Sequence, residues 1–81
     1  MANNTIELTL TAIYEEAEEG GYIGYVAELP GANTQGETME EVRANLREAT
    51  QLLLATYRDE AEKRIADKAR VRREPLLLVA A

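Results

Sequence analysis

Apolar and polar residues alternate through residues 5–16, with Ile6, Leu8, Leu10, Ala12 and Tyr14 on one side and Thr5, Glu7, Thr9 and Thr11 on the other. A period of two predicts a strand with one buried face and one wet face. The following Ala17-Glu18-Glu19-Gly20-Gly21 is the polar, glycine-containing break of an antiparallel hairpin. Residues 22–29 are rich in aromatic and β-branched side chains and lie between Gly20-Gly21 and Pro30-Gly31, which predicts a second strand. Tyr22, Gly24 and Val26 alternate there with Ile23, Tyr25, Ala27 and Leu29, so neither side is polar. Such a strand is either central and covered on both faces, or it turns one apolar face toward another chain.

Pro30 presets the first corner of a turn and Gly31 accepts the positive φ of the next position, so the chain reverses after Leu29. A short polar strand follows, and Gly36 lets the backbone bend into a helix. Thr38 with Glu41 fits a capping box, the Thr hydroxyl taking the Glu41 amide proton and the Glu41 carboxylate reaching back to the Thr38 amide. The helix therefore begins at Met39. Met39, Val42, Leu46, Ala49 and Leu53 recur at spacings of three and four, the stripe of a helix packed on a sheet. Leu52 and Leu54 widen that stripe, and Tyr57, Ala61 and Ile65 extend it. Asp59 with Lys63 and Glu60 with Arg64 are i,i+4 pairs with the acid first, which carries helical character to about Ala69; a break at residues 57–59 stays open. Arg70, Arg72 and Arg73 suit a helix C-terminus. Pro75 stops the helix, and Leu76, Leu77, Leu78 and Val79 read as a final strand, apolar on both faces and at a sheet edge. The expected architecture is a single α+β domain over residues 1–81, two layers in the order β-β-β-α-β, with one face of an antiparallel sheet covered by the helix.

The chain has 81 residues, and a domain of that size buries only about 60% of its unfolded surface. A marginal core and an apolar edge together predict self-association as a homodimer or homotetramer. Cysteine is absent, which suits a reducing compartment. No secretory pattern opens the sequence and no apolar run approaches the roughly 20 residues of a membrane span, so a cytoplasmic protein is expected. Histidine and tryptophan are also absent, which excludes histidine-based triads, imidazole metal sites and imidazole proton relays.

Charge changes the picture. The net charge is −6, yet residues 1–42 carry nine Glu and no Lys or Arg, while residues 43–81 carry all nine basic residues against six acidic ones. A field of one sign steers molecules of the opposite sign, so the strand half points to a basic partner. A solvated hairpin tip built from Glu15, Glu16, Glu18 and Glu19 is the alternative.

The elements Gly21-Tyr22, Leu29-Pro30-Gly31, Thr34-Gln35-Gly36 with Thr38, and Glu40-Glu41 stand in unbroken order. This run resembles the signature of HicB-type antitoxins. Two positions depart from it: Ala27 stands where Pro is frequent and Val42 where Ala is usual. Leu29, Pro30, Gly31, Gln35, Gly36, Thr38 and Glu41 are fold-specifying residues under this resemblance. It implies a degraded ribonuclease H-like fold and a partner resembling the HicA toxin, a small basic ribonuclease with a double-stranded-RNA-binding-domain-like fold and a catalytic histidine. Glu15, Glu16, Glu18, Glu19 and Glu28 would mimic RNA phosphates, and Tyr22 or Tyr25 would supply the desolvated anchor.

The ribonuclease H likeness raises catalysis, which the residues argue against. A two-metal nuclease needs several converging carboxylates, whereas no Asp precedes Asp59 and the strand carboxylates are Glu7 and Glu28. Tyr14, Tyr22, Tyr25 and Tyr57 read as core or interface aromatics. No catalytic residue, metal or cofactor is expected. Many HicB-like proteins carry a C-terminal DNA-binding module; none is expected here, and the cluster Arg70, Arg72 and Arg73 reads as a solvated helix cap, so direct nucleic-acid binding is not expected. A stand-alone oligomeric scaffold or ligand-binding module is the alternative to an antitoxin, with a DNA-binding autorepressor behind it.

Overall fold

The two apolar segments do pair as a hairpin. A computed structural model describes residues 9–78. Strands β1 (Ala12–Glu16), β2 (Tyr22–Val26) and β3 (Asn33–Gly36) form one antiparallel sheet in the order β1-β2-β3 and are followed by helix α1 (Met39–Ala66), an α+β arrangement. Ala12 lies opposite Val26 and Glu16 opposite Tyr22, while Tyr22 lies opposite Gly36 and Tyr25 opposite Asn33. β2 is therefore central, as its two apolar sides allow.

Strand ends differ from those the alternation predicts. β2 stops at Val26, not at Leu29, because the Leu29 amide donates to the Val26 carbonyl (3.3 Å) and the Ala32 amide to the Leu29 carbonyl (3.1 Å) in closing the reversal. Gly31 occupies φ 100° in that turn. β1 begins at Ala12 because its partner has turned away: the Ala27 amide makes one last bond to the Thr11 carbonyl, at 2.9 Å. Residues 5–8 of the expected first strand lie outside the described residues.

The helix starts where its cap predicts, at Met39. Thr38 Oγ1 accepts the Glu41 amide proton at 3.1 Å. The return arm differs, since the Glu41 carboxylate accepts from the amide of Glu37 (3.2 Å) and not from that of Thr38. No break occurs at residues 57–59. The helix closes at Ala66, short of Ala69, where the Lys68 amide bonds the Ile65 carbonyl at 2.9 Å and tightens the last turn. Asp59 and Lys63 form an ion pair at 3.6 Å across an exposed face, and no pair joins Glu60 to Arg64 among the described residues.

Burial follows the predicted stripe as far as Leu53. Val26, Ala32, Val42 and Leu46 are buried, and Leu10, Tyr14, Leu29 and Leu53 pack against Val26, Ala32 and Leu46. β3 meets the first turn of α1 so closely that a Cβ on Gly36 would lie 2.7 Å from the Val42 nitrogen. Beyond Leu53 the helix outruns its sheet: 28 residues span about 42 Å, whereas a five-residue strand spans only about 17 Å. The Cα radius of gyration is accordingly 17.0 Å, against about 12 Å for a compact chain of this length.

The expected final strand is the main correction. Leu76, Leu77 and Leu78 belong to no strand and are 86%, 64% and 50% exposed; Val79 lies outside the described residues. A strand forms only where an edge offers hydrogen bonds, and the Arg73–Glu62 ion pair holds this segment beside the projecting half of α1.

Candidate functional site

Residues directly opposite in an antiparallel ladder share a face, so the register assigns every strand side chain. Ala12, Tyr14, Glu16, Tyr22, Gly24, Val26, Thr34 and Gly36 face α1. Ile13, Glu15, Ile23, Tyr25, Asn33 and Gln35 face the other way. No described element covers this second face. Ile13 and Tyr25 are half-buried by their neighbours there, and Ile23 is 44% exposed.

The register separates the four tyrosines. Tyr25 stands on the open face, Tyr14 packs against the core beneath α1, Tyr22 shares the helix side, and Tyr57 lies on the projecting half of the helix. Beside Tyr25 sits Glu15, one pair along the same face. Its carboxylate accepts the phenolic hydrogen bond and would repel a phenolate, and both effects raise the Tyr25 pKa above its ordinary 10.0. Glu16 ends β1 opposite Tyr22 and so takes the α1 side, while Glu18 and Glu19 occupy the exposed hairpin turn adjoining the open face. The result is an apolar centre of Ile13, Ile23 and Tyr25 bounded at one end by carboxylates.

Glu28 lies elsewhere and does something else. At the opposite end of the sheet it accepts from the Thr11 amide at 2.7 Å and from Thr11 Oγ1 at 2.6 Å. The hydroxyl bond and then the amide bond hold its carboxyl below the ordinary 4.5. It fastens the chain entering β1 to the turn leaving β2. Of the seven residues expected to meet a partner, the fold thus gathers Glu15 and Tyr25 on the open face with Glu18 and Glu19 in the adjoining turn, and sets Glu16, Tyr22 and Glu28 apart.

The signature residues have mostly internal duties. Leu29 packs on the core, Pro30 and Gly31 make the reversal, and Thr38 with Glu41 caps α1. Gln35 combines two roles: its backbone carbonyl accepts from Asn45 Nδ2 at 2.9 Å, tying β3 to α1, while its side chain belongs to the open face. Sequence reasoning missed Ile13, Thr11 and Asn45. Ile13 left a signal, since it interrupts the otherwise polar side of the first strand.

A second concavity runs between the free edge of β1 and α1, with Leu10, Tyr14, Val26 and Leu46 in its floor and Arg43 and Arg47 on its rim. Among the described residues no three carboxylates are grouped to hold a metal ion, and no helix is long and apolar enough to cross a membrane.

The UPF0150-like family model matches residues 6–57. That interval contains the sheet, the turn and the part of α1 packed on them. A UPF0150 protein of Synechocystis is 42% identical over 60 residues, covering 74% of this chain and 83% of its own length. A UPF0150 protein of Thermotoga maritima is 45% identical over 51 residues, covering 62% of this chain and 68% of its own. One from Thermoplasma acidophilum is 36% identical over 59 residues, covering 73% and 86%. No solved structure matches the chain significantly. The matched interval and the curated relatives agree on one assignment: the chain belongs to the UPF0150-like family.

Proposed function

We propose that this protein is an antitoxin of the HicB type, which binds a small basic ribonuclease resembling the HicA toxin and blocks its RNA-binding surface. One observation carries the reading: an uncovered sheet face with an apolar centre of Ile13, Ile23 and Tyr25, bounded by Glu15 and by the Glu18 and Glu19 turn. The composition of an interface hot spot is similar, a central aromatic anchor that loses its water within a charged rim. No Lys or Arg occurs in the first 42 residues to oppose a cationic partner.

In this mechanism the carboxylates act first. They accelerate encounter with a basic surface, and their effect declines with salt. Tyr25 and the two isoleucines then set the lifetime of the complex by excluding water. Inhibition needs no chemistry from the antitoxin, because occupying the toxin's phosphate-binding surface is sufficient. The test is the protein encoded beside this gene: binding is measured at low and physiological salt, and RNA cleavage with and without added antitoxin. Saturable binding with loss of cleavage is expected. If neither occurs, the antitoxin reading fails and a stand-alone scaffold replaces it.

A further inference from the structure

The segment after α1 is chemically the complement of the open sheet face. Arg70, Arg72 and Arg73 precede three exposed leucines, Leu76, Leu77 and Leu78. The face presents Glu15 and the hairpin carboxylates beside Ile13, Ile23 and Tyr25. Cation therefore meets carboxylate where apolar meets apolar. The groove between β1 and α1 also has an apolar floor, but its rim is Arg43 and Arg47, which would repel a segment carrying three arginines.

A chain cannot cover its own face in this way while Arg73 stays paired with Glu62. Leu76, three residues on, reaches at most about 11 Å. Leu53, where α1 leaves the sheet, is nine residues back from Glu62, about 14 Å along the helix. The open face is farther still, on the side of the sheet away from α1. In one chain the leucines stay beside the projecting helix and exposed.

We propose that residues 70–78 of one copy cover the open sheet face of a second copy, and that a two-fold pair makes this contact twice. Such a two-fold pair engages the segment and the face of each subunit once, so neither is left unmatched to propagate. It buries the three leucines and the two isoleucines together. It also sets Glu15 and the hairpin carboxylates of each chain against Arg70 and Arg72 of the other, so the assembly is weakened by salt. The covering segment lies outside the interval that the family model matches, residues 6–57. The proposal uses the face assigned above to a toxin but requires no toxin, and its test uses this protein alone.

The chain contains no cysteine, which permits a direct test. Ile23→Cys and Leu77→Cys are prepared separately in the full chain, mixed, and oxidised mildly. The expected result is a disulfide between the two variants, formed at least tenfold faster than within either variant alone and slowed by salt. In parallel, sedimentation of the wild type should show a dimer. A chain ending at Lys68 and an Arg70→Glu, Arg72→Glu, Arg73→Glu variant should each be monomers with unchanged circular dichroism. Preferential linkage within the Leu77→Cys sample would mean that tails pair with tails, and within the Ile23→Cys sample that faces pair with faces. Either result overturns the proposal, as does a monomeric wild type or a dimer undiminished by removal of the segment.

Discussion

Replacing Gly36 by Ala tests whether the signature glycine serves the fold or a partner. The added Cβ would lie 2.7 Å from the Val42 nitrogen, 3.0 Å from its Cα and 3.2 Å from the Glu41 carbonyl carbon. All three are backbone atoms of the first helical turn, so no side-chain rotation relieves the contact. α1 must move away from β3, and Val42, fully buried, moves with it. Overpacking of this kind costs about 1–3 kcal/mol. The Gly36 φ is not positive, so alanine also stabilises by about 0.4–1 kcal/mol through the less flexible unfolded chain. A net loss of about 1–2 kcal/mol results, a large fraction of the roughly 4–12 kcal/mol that a domain of this size possesses.

Urea unfolding followed by circular dichroism reads the loss directly. With a slope of about 1 kcal/mol/M for a small domain, the Gly36→Ala midpoint should fall by about 1–2 M at unchanged slope. Gly36→Val, larger and β-branched, should fall further. Partner affinity of the folded fraction should stay near the wild-type value, because Gly36 faces the helix. A midpoint equal to or above wild type would refute the close approach of β3 to α1, and with it the reason offered for glycine at this position.

Thr38→Ala removes the acceptor for the Glu41 amide and should cost about 1 kcal/mol in the same unfolding assay, again without changing affinity. Glu28 is held below its ordinary pKa by Thr11, so its stabilisation is complete above pH 4.5 and is lost as pH falls through the lower folded value; Glu28→Gln should be less stable at neutral pH and should flatten that acid limb. Tyr25 is raised above 10.0 by Glu15, so its contribution is complete below pH 10 and is lost as pH rises through the higher folded value; spectrophotometric titration should show one late phenol, returned toward 10 by Glu15→Gln. Converting Glu15, Glu16, Glu18 and Glu19 to Gln should slow toxin association and weaken its salt dependence, whereas Tyr25→Ala should mainly hasten dissociation, each read in a stopped-flow or surface-binding assay.

Features set by neighbouring residues are legible in the chain itself. Pro30-Gly31 makes its turn, Thr38 caps at the predicted residue, Val42 is buried, and Leu46 and Leu53 pack at the spacing that singles them out. Features that depend on a distant strand are not. β2 gives up Ala27 to Leu29 because the reversal needs their backbone groups, and β1 shortens because its partner has left. Nor does alternation alone say which side of β2 the helix covers. Gly24 decides it: its Cβ position lies 3.1 Å from both Tyr14 Cδ1 and Val42 Cγ2, so the side with the missing side chain admits α1. Ile23 and Tyr25 are thereby left on the other side.

That choice explains why an 81-residue chain leaves so much apolar surface unused. One short helix stripe satisfies one face of a three-stranded sheet, and α1 then continues past Leu53 with no sheet beneath it. The surplus falls in two places, the face of Ile13, Ile23 and Tyr25 and the segment ending in Leu76, Leu77 and Leu78. They carry opposite charge, so each is the other's best match within this sequence, and the anionic face is also the best match for a basic toxin. Two occupants of one face compete by mass action. Toxin binding and the proposed self-association are then linked, and a chain lacking residues 69–81 should bind the toxin more tightly than the full chain does, by the factor through which self-association had been occupying the face. Equal affinity for the two chains, measured at concentrations where the wild type is dimeric, would place the toxin and the second copy on different surfaces.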